Sequence, residues 1–140
     1  MKTRIGAVGI IQNTDGEVLI CKMPAKRGMY PEQWGILGGG MEDGEKIEDT
    51  LKREAKEELG IILKNIRPFT FHDDTRTKYF ADGHTEEVYM VYCIFDCEIA
   101  GGNVVLNDEW EEFVWVNPER LSEYDLNDPT IKTFTLKGWL

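Results

Sequence analysis

The stretch Gly38-Gly39-Gly40, then Glu45, then Arg53-Glu54-Ala55-Lys56-Glu57-Glu58-Leu59-Gly60-Ile61 decides how this chain of 140 residues is read. Residues 47–59 follow a helical period: at 100° per residue Ile47, Leu51, Ala55 and Leu59 form one apolar stripe. Gly60 follows as the residue that ends the helix. Glu54 and Glu58 fall on the edge of the stripe, and Glu57 lies just beyond them. Three carboxylates at i, i+3 and i+4 thus share the margin of the buried face. Like charges at this spacing cost roughly 0.2–0.5 kcal/mol per pair even in water, and more with partial burial. Arg53 can pair with Glu57 four residues on, but it lies well round the helix from Glu54 and Glu58, so it does not neutralise all three. A divalent cation would, and all-oxygen ligands favour Mg²⁺ or Mn²⁺ over zinc. A solvated acidic face explains an arbitrary triple of glutamates. The triglycine turn just upstream, whose backbone can approach a ligand closely, weighs against that here.

Charge supports the same focus. Lys plus Arg number 16 and Asp plus Glu 26, a formal net charge of −10. Such a balance opposes binding to nucleic acid or to anionic membrane, both of which need basic patches. The excess is localised: residues 42–58 hold eight acids and four bases, and residues 108–123 hold six acids and one base. No apolar run approaches the ~20 residues of a membrane span, and the first residues lack the apolar core of a secretory signal. Cys21, Cys93 and Cys97 form no Cys-x-x-Cys pair, and Cys93 and Cys97 on one strand would sit ~13 Å apart. Reduced thiols in a cytoplasmic protein are expected. His72 and His84 are too few for a zinc site and are read as surface or turn residues.

Working outward, residues 5–11 and 18–23 are apolar runs flanking Asn13-Thr14-Asp15-Gly16, a hairpin signal. Residues 34–37 read as a short strand stopped by Gly38-Gly39-Gly40. Residues 61–71 and 87–98 read as longer strands around the turn Ala81-Asp82-Gly83, the second apolar on both faces and hence central. Residues 113–116 form another strand, and Pro118 opens a short turn or helix. Asp128-Pro129 reads as the N-cap and first residue of a helix that runs through Leu136 and closes at Gly138. With no repeat, linker or low-complexity tract, one α+β domain over residues 1–140 is expected.

The spacing Gly39-x5-Glu45-x7-Arg53-Glu54-Ala55-x-Glu57-Glu58-x-Gly60-Ile61 resembles the signature box of the Nudix hydrolases at every fixed position. At roughly 7% per residue type, seven fixed matches arise by chance on the order of once in 10⁸ starts, so the resemblance is specific. Ala55 is smaller than the Ile, Leu or Val usual there, and still apolar. The resemblance implies a three-layer α/β/α sandwich with a mixed β-sheet, built around a loop–helix–loop. It implies that Glu54, Glu57 and Glu58 bind Mg²⁺, with the Gly38 carbonyl as a further ligand. Arg53 would orient the helix carboxylates, and Glu45 would hold the loop through Arg53 or touch a metal-bound water. Members of the family often add an acid from a later loop, for which Glu109, six residues before Trp115, is the positional match and Glu112 the fallback.

The activity so implied is hydrolysis of a nucleoside triphosphate to a nucleoside monophosphate and pyrophosphate. A box glutamate or Glu109 would take the proton of a metal-bound water. Segments outside the box, among them Tyr30-Pro31-x-Gln33-Trp34, Asp74-Thr75-Arg76-Thr77-Lys78 and Glu87-Val88-Tyr89-Met90, are similar to nucleoside triphosphatases of the family that prefer the pyrimidine deoxynucleotides dUTP, dTTP and dCTP. A nucleotide sugar, a dinucleoside polyphosphate, an oxidised purine triphosphate, or a non-catalytic nucleotide-sensing role remain alternatives within the same resemblance. Lys22 and Arg76 are the first candidates for the phosphates, beside Lys26, Arg27 and Lys78. Tyr30, Trp34, Phe71 and Tyr89 are candidates to stack on the base. The expected partner is a small nucleotide, handled by a monomer or homodimer.

Overall fold

Alternation along strand β1 (Lys2–Ile11) sends Ala7 and Ile11 to one side of a sheet and Ile10 to the other, and this division organises the whole computed structural model, which describes residues 1–140. Strand β2 (Val18–Lys22) divides likewise, Leu19 and Cys21 against Val18 and Ile20. Two short strands follow, β3 (Trp34–Gly35) and β4 (Gly38–Gly40), and then helix α1 (Ile47–Leu59). Two long strands, β5 (Ile62–Tyr79) and β6 (Thr85–Gly101), precede β7 (Glu112–Val116), a 3-10 turn (Pro118–Glu123) and helix α2 (Asp128–Leu136).

A four-stranded mixed sheet has the order β4-β1-β6-β5, with β1 parallel to β6 and the other pairs antiparallel. A three-stranded antiparallel sheet has the order β3-β2-β7. Helix α1 buries Leu51, Ala55 and Leu59 against Ala7, Ile11, Leu19, Cys21, Phe95 and Cys97. Helix α2 buries Phe134 on the opposite side, with Ile10, Val18, Ile20, Tyr92 and Ile94. Period-2 alternation in the strands therefore feeds two separate cores, each closed by one helix. The result is the expected α/β/α sandwich.

Helix α1 has the expected bounds. Its last turn ends where Gly60 adopts φ 66°, left-handed backbone that a residue with a Cβ rarely adopts, and the Gly60 N–H is bonded to carbonyls of the last turn. Strand β6 is central, between β1 and β5.

Four local expectations are corrected. Residues 38–40 do not stop a strand; they are strand β4, hydrogen-bonded to Gly6–Val8, so sheet pairing overrides the low strand propensity of glycine. The Asp15-Gly16 turn forms, with the Gly16 N–H donating to the Asn13 carbonyl at 3.0 Å and a lone bridge between Gln12 and Val18. Yet β1 and β2 enter different sheets, because both edges of β1 are taken by β4 and β6. Strands β5 and β6 run further toward their turn than expected, through pairs such as Thr77 with Glu87, whose side chains bond at 2.5 Å. The N-cap of α2 is Asn127, not Asp128: its Oδ1 accepts from the Thr130 N–H at 3.0 Å. All three cysteines are unpaired and strand-borne. No helix is long and apolar enough to cross a membrane.

Candidate active site

Arg53 is the hub of the loop–helix junction. Its Nε donates to Glu45 Oε2 at 2.7 Å, and Nη1 to Glu54 Oε1 at 2.8 Å and to Glu57 Oε2 at 3.3 Å. Its Nη2 donates to the Gly40 carbonyl at 3.0 Å, tying helix α1 to strand β4. Helical position alone predicts a bond to Glu57 only; the long guanidinium fork also reaches back to Glu54. Glu45 in turn accepts from Thr50 Oγ1 at 2.7 Å and from the Glu42 N–H at 3.1 Å. These donors, Arg53 first, hold its carboxyl down at about 2. The acids thus divide, with Glu45, Glu54 and Glu57 on Arg53 and Glu58 without a cation.

Glu58 is 5% exposed, a carboxylate sunk beside the core. Its Oε1 accepts from Trp110 Nε1 at 2.9 Å, while its Oε2 is buried with no cationic or amide donor and with the Glu54 carboxyl as its neighbour. Burial first, and the neighbouring Glu54 carboxyl second, push its proton affinity far above the usual carboxylate range. Exposed Glu109 adds to the same push. Glu54 lies against strand β4, where a Cβ on Gly39 would coincide with its carboxyl group, so glycine there is what admits the acid.

An orphaned buried oxygen beside a second carboxylate is a hard, anionic donor set, and it fits a divalent cation such as Mg²⁺ or Mn²⁺. No three such side chains converge around one point, because the Glu57 carboxylate turns to Arg53. Glu54 and Glu58 are the pair that fits, with Glu57 at the margin.

The pair faces a cavity of about 500 Å³, within the range of small-ligand sites. Gly38, Glu54, Glu58 and Glu109 line it, as do Tyr30, Met90, Tyr92 and Thr133. Other expected residues stand outside the lining. Lys22 lies in β2 between Trp34 and Glu112, and Trp34 packs edge-on against Tyr124 at 5.2 Å. Phe71 is 69% exposed on β5, and Tyr89 donates its hydroxyl to Asp73 at 2.7 Å. Arg76 is held by Asp74 and Asp128 and lies over the Tyr30 ring at 5.2 Å.

The cations that do line the cavity are Arg4, Arg27 and Lys78. The loop carrying Arg27 is stitched to the end of β5 by paired bonds between Gly28 and Tyr79, at 2.7 and 2.8 Å. Arg4 and Trp110 do not emerge from the sequence reading. For Arg4 a signal existed: it is two residues from Gly6 on β1, so both share a strand face. For Trp110 the only signal was its place next to Glu109.

A mixed sandwich carrying an acidic helix pair, an arginine clamp and a glycine strand beside the 500 Å³ cavity agrees with the class that the chain's relatives define, the hydrolases of phosphoric anhydrides. The NUDIX domain family matches residues 2–136, and the chain belongs to that family. Across its whole length it is 51% identical to the nucleoside triphosphatase NudI of Escherichia fergusonii, with all of that protein covered. It is 52% identical to that of Escherichia coli K12, again over the whole of both chains. Among solved structures it is similar to a MutT NUDIX hydrolase from Burkholderia pseudomallei. That likeness has a TM-score of 0.78 and 26% identity, over 96% of this chain and 98% of that one. A MutT protein from Methanosarcina mazei shares the fold, with a TM-score of 0.73 at 20% identity over 97% of this chain and 92% of the other.

Proposed function

We propose that this hydrolase converts a nucleoside triphosphate and water to a nucleoside monophosphate and pyrophosphate in a Mg²⁺-dependent reaction, with a preference for dUTP, dTTP and dCTP. The observation that carries the reading is the orphaned oxygen of buried Glu58, next to Glu54, on the wall of the 500 Å³ cavity. The NudI relatives, identical at about half of all positions over the full length, support the substrate class.

Glu54 and Glu58 would hold Mg²⁺ (or Mn²⁺), with Glu57, Glu109 and the Gly38 carbonyl as further oxygen ligands. Such an ion supplies charge neutralisation for the polyphosphate and a lowered pKa for bound water. Arg53 fixes the carboxylates by bonding Glu45, Glu54 and the Gly40 carbonyl at once. Arg4, Arg27 and Lys78 meet the phosphates along the cavity wall. A box glutamate, or the exposed carboxylate of Glu109 where it is not itself a ligand, would accept a proton from the attacking water. Three unpaired thiols accord with a cytoplasmic setting.

The test is a screen of the ribo- and deoxynucleoside triphosphates with and without Mg²⁺, measuring pyrophosphate and monophosphate. A Mg²⁺-dependent lead for dUTP, dTTP and dCTP supports the reading. Turnover without any divalent ion, or a lead for a nucleotide sugar, overturns it.

A further inference from the structure

The floor of the cavity contains a polar device that phosphate chemistry does not use. The Tyr30 and Tyr92 hydroxyls meet at 2.7 Å, both rings buried and both on the cavity lining. Behind them, Tyr30 also faces Asp74 Oδ2 at 3.5 Å, long for a hydrogen bond but enough to orient the hydroxyl. Asp74 Oδ2 is bonded by Arg76 Nε at 2.6 Å, and Arg76 is held in place from α2 by Asp128.

The direction of these bonds follows from what each group can donate. Arg76 is always a cation and only donates, so Asp74 beside it is a carboxylate and only accepts. The single proton of Tyr30 therefore points to Asp74. The short bond between the phenols must then take its proton from Tyr92. Tyr92 has no second proton, and what its oxygen offers the cavity is a lone pair. Burial raises the proton affinity of both phenols, so neither ionises near neutrality.

Register puts this acceptor on the face of the sheet that carries α2, whereas Glu54 packs over Gly39 on the face that carries α1. Gly6 pairs with Gly40 on one side and with Tyr92 on the other, so Gly40, Gly6 and Tyr92 form one row across the sheet. Two strand spacings, about 10 Å, separate Gly40 from Tyr92. Gly6 has no side chain of its own, and Met90 Cε lies over it, 3.4 Å from where a Cβ would stand.

We infer that Tyr92 is a specificity-determining residue whose hydroxyl oxygen accepts the N3–H of a uracil or thymine, or the amino group of a cytosine, with Tyr30 and Asp74 as positioning residues that fix its polarity. The inference rests on the nucleoside triphosphatase reading above and adds the group recognised on the base.

The experiment compares dTTP with N3-methyl-dTTP, which lacks the donor, on the intact enzyme in Mg²⁺. Wild type should favour dTTP by about tenfold or more in kcat/KM, the cost of leaving a buried acceptor unpaired. In Tyr92→Phe that ratio should collapse toward one, through loss on dTTP rather than gain on its methylated form. Tyr30→Phe removes the acceptor of the Tyr92 proton and leaves that proton free to turn toward the cavity. It should lower the dTTP preference while the Mg²⁺ dependence stays as in wild type, a split that mere loosening of the fold does not produce. Isothermal titration of dTMP and N3-methyl-dTMP gives the same comparison by binding, including for a variant of low activity. Equal use of both triphosphates by an active wild type, or an unchanged ratio in Tyr92→Phe, overturns this inference and leaves the function standing. No Mg²⁺-dependent turnover of any nucleoside triphosphate overturns both.

Discussion

The indole N–H of Trp110 donates to Glu58 Oε1 at 2.9 Å across 52 residues of chain, joining the loop before β7 to the last turn of α1. It is the one donor on a carboxylate that burial and Glu54 both drive toward the neutral form. A bond donated to the charged form lowers a pKa, so removing it raises one. Trp110→Phe keeps the aromatic bulk and deletes the donor. Its acid limb in a pH–rate profile should move to higher pH, and kcat/KM at pH 7 should fall by about tenfold, the usual cost of losing an outer-shell bond. An unmoved acid limb would show that Glu58 does not need the indole.

Glu58→Gln separates activity from stability. The amide cannot supply an anionic oxygen, so turnover in saturating Mg²⁺ should drop by about 10²-fold or more. The same change removes a buried carboxyl that has no cation partner, so the metal-free protein should melt no lower than wild type. The pH dependence follows with its sign. Because the folded state holds the Glu58 proton more tightly than the unfolded chain, its contribution is full below the ordinary value of 4.5 and is lost as pH rises through the raised one. In chelator, wild type should lose about 5 °C of Tm between pH 5.5 and pH 8 relative to Glu58→Gln, and Mg²⁺ should restore it. Parallel Tm curves for the two proteins would sink this account.

Arg53 and Glu45 obey the opposite sign. The Glu45 carboxyl is held down at about 2, so its contribution to stability is present above 4.5 and is lost as pH falls toward 2. Arg53→Ala strands Glu45, Glu54 and Glu57 together and releases the Gly40 carbonyl. Thermal melts at pH 7 should fall by about 5 °C or more, and by less at pH 3. Arg53→Lys has a single ammonium for four acceptors and should recover only part of the loss.

The clamp also shows what was legible in the chain and what was not. Helix α1, its Gly60 stop and the stripe Ile47, Leu51, Ala55, Leu59 follow from local period, and the two cores follow from strand alternation. What local pattern cannot carry is a partner supplied by tertiary contact. Gly38-Gly39-Gly40 is a strand only because β1 lies beside it. The Asp15-Gly16 turn could not reveal that β1 already has two neighbours. The box acids were visible by spacing, but the depth of Glu58 depends on Trp110 from a distant loop. Among the cations, local sequence favoured Lys22 and Arg76, whereas cavity position depends on how β1, the 23–33 loop and β5 meet, and this brings in Arg4, Arg27 and Lys78.

Gly39 supplies the sharpest steric test. Its backbone does not need left-handed φ, so alanine is compatible with the strand, but the new Cβ would occupy the place of the Glu54 carboxyl. Gly39→Ala should therefore leave Tm within a few degrees of wild type. It should also raise the Mg²⁺ concentration for half-maximal activity by about tenfold or more as Glu54 is displaced. Shortening the acid relieves the clash: Glu54→Asp withdraws the carboxyl by one methylene. The two sites touch, so their effects should not add. Gly39→Ala combined with Glu54→Asp should need less Mg²⁺ than the sum of the single changes predicts. Strict additivity in Mg²⁺ titrations of the four proteins would mean that the glycine serves the β1–β4 pairing alone and not the carboxylate.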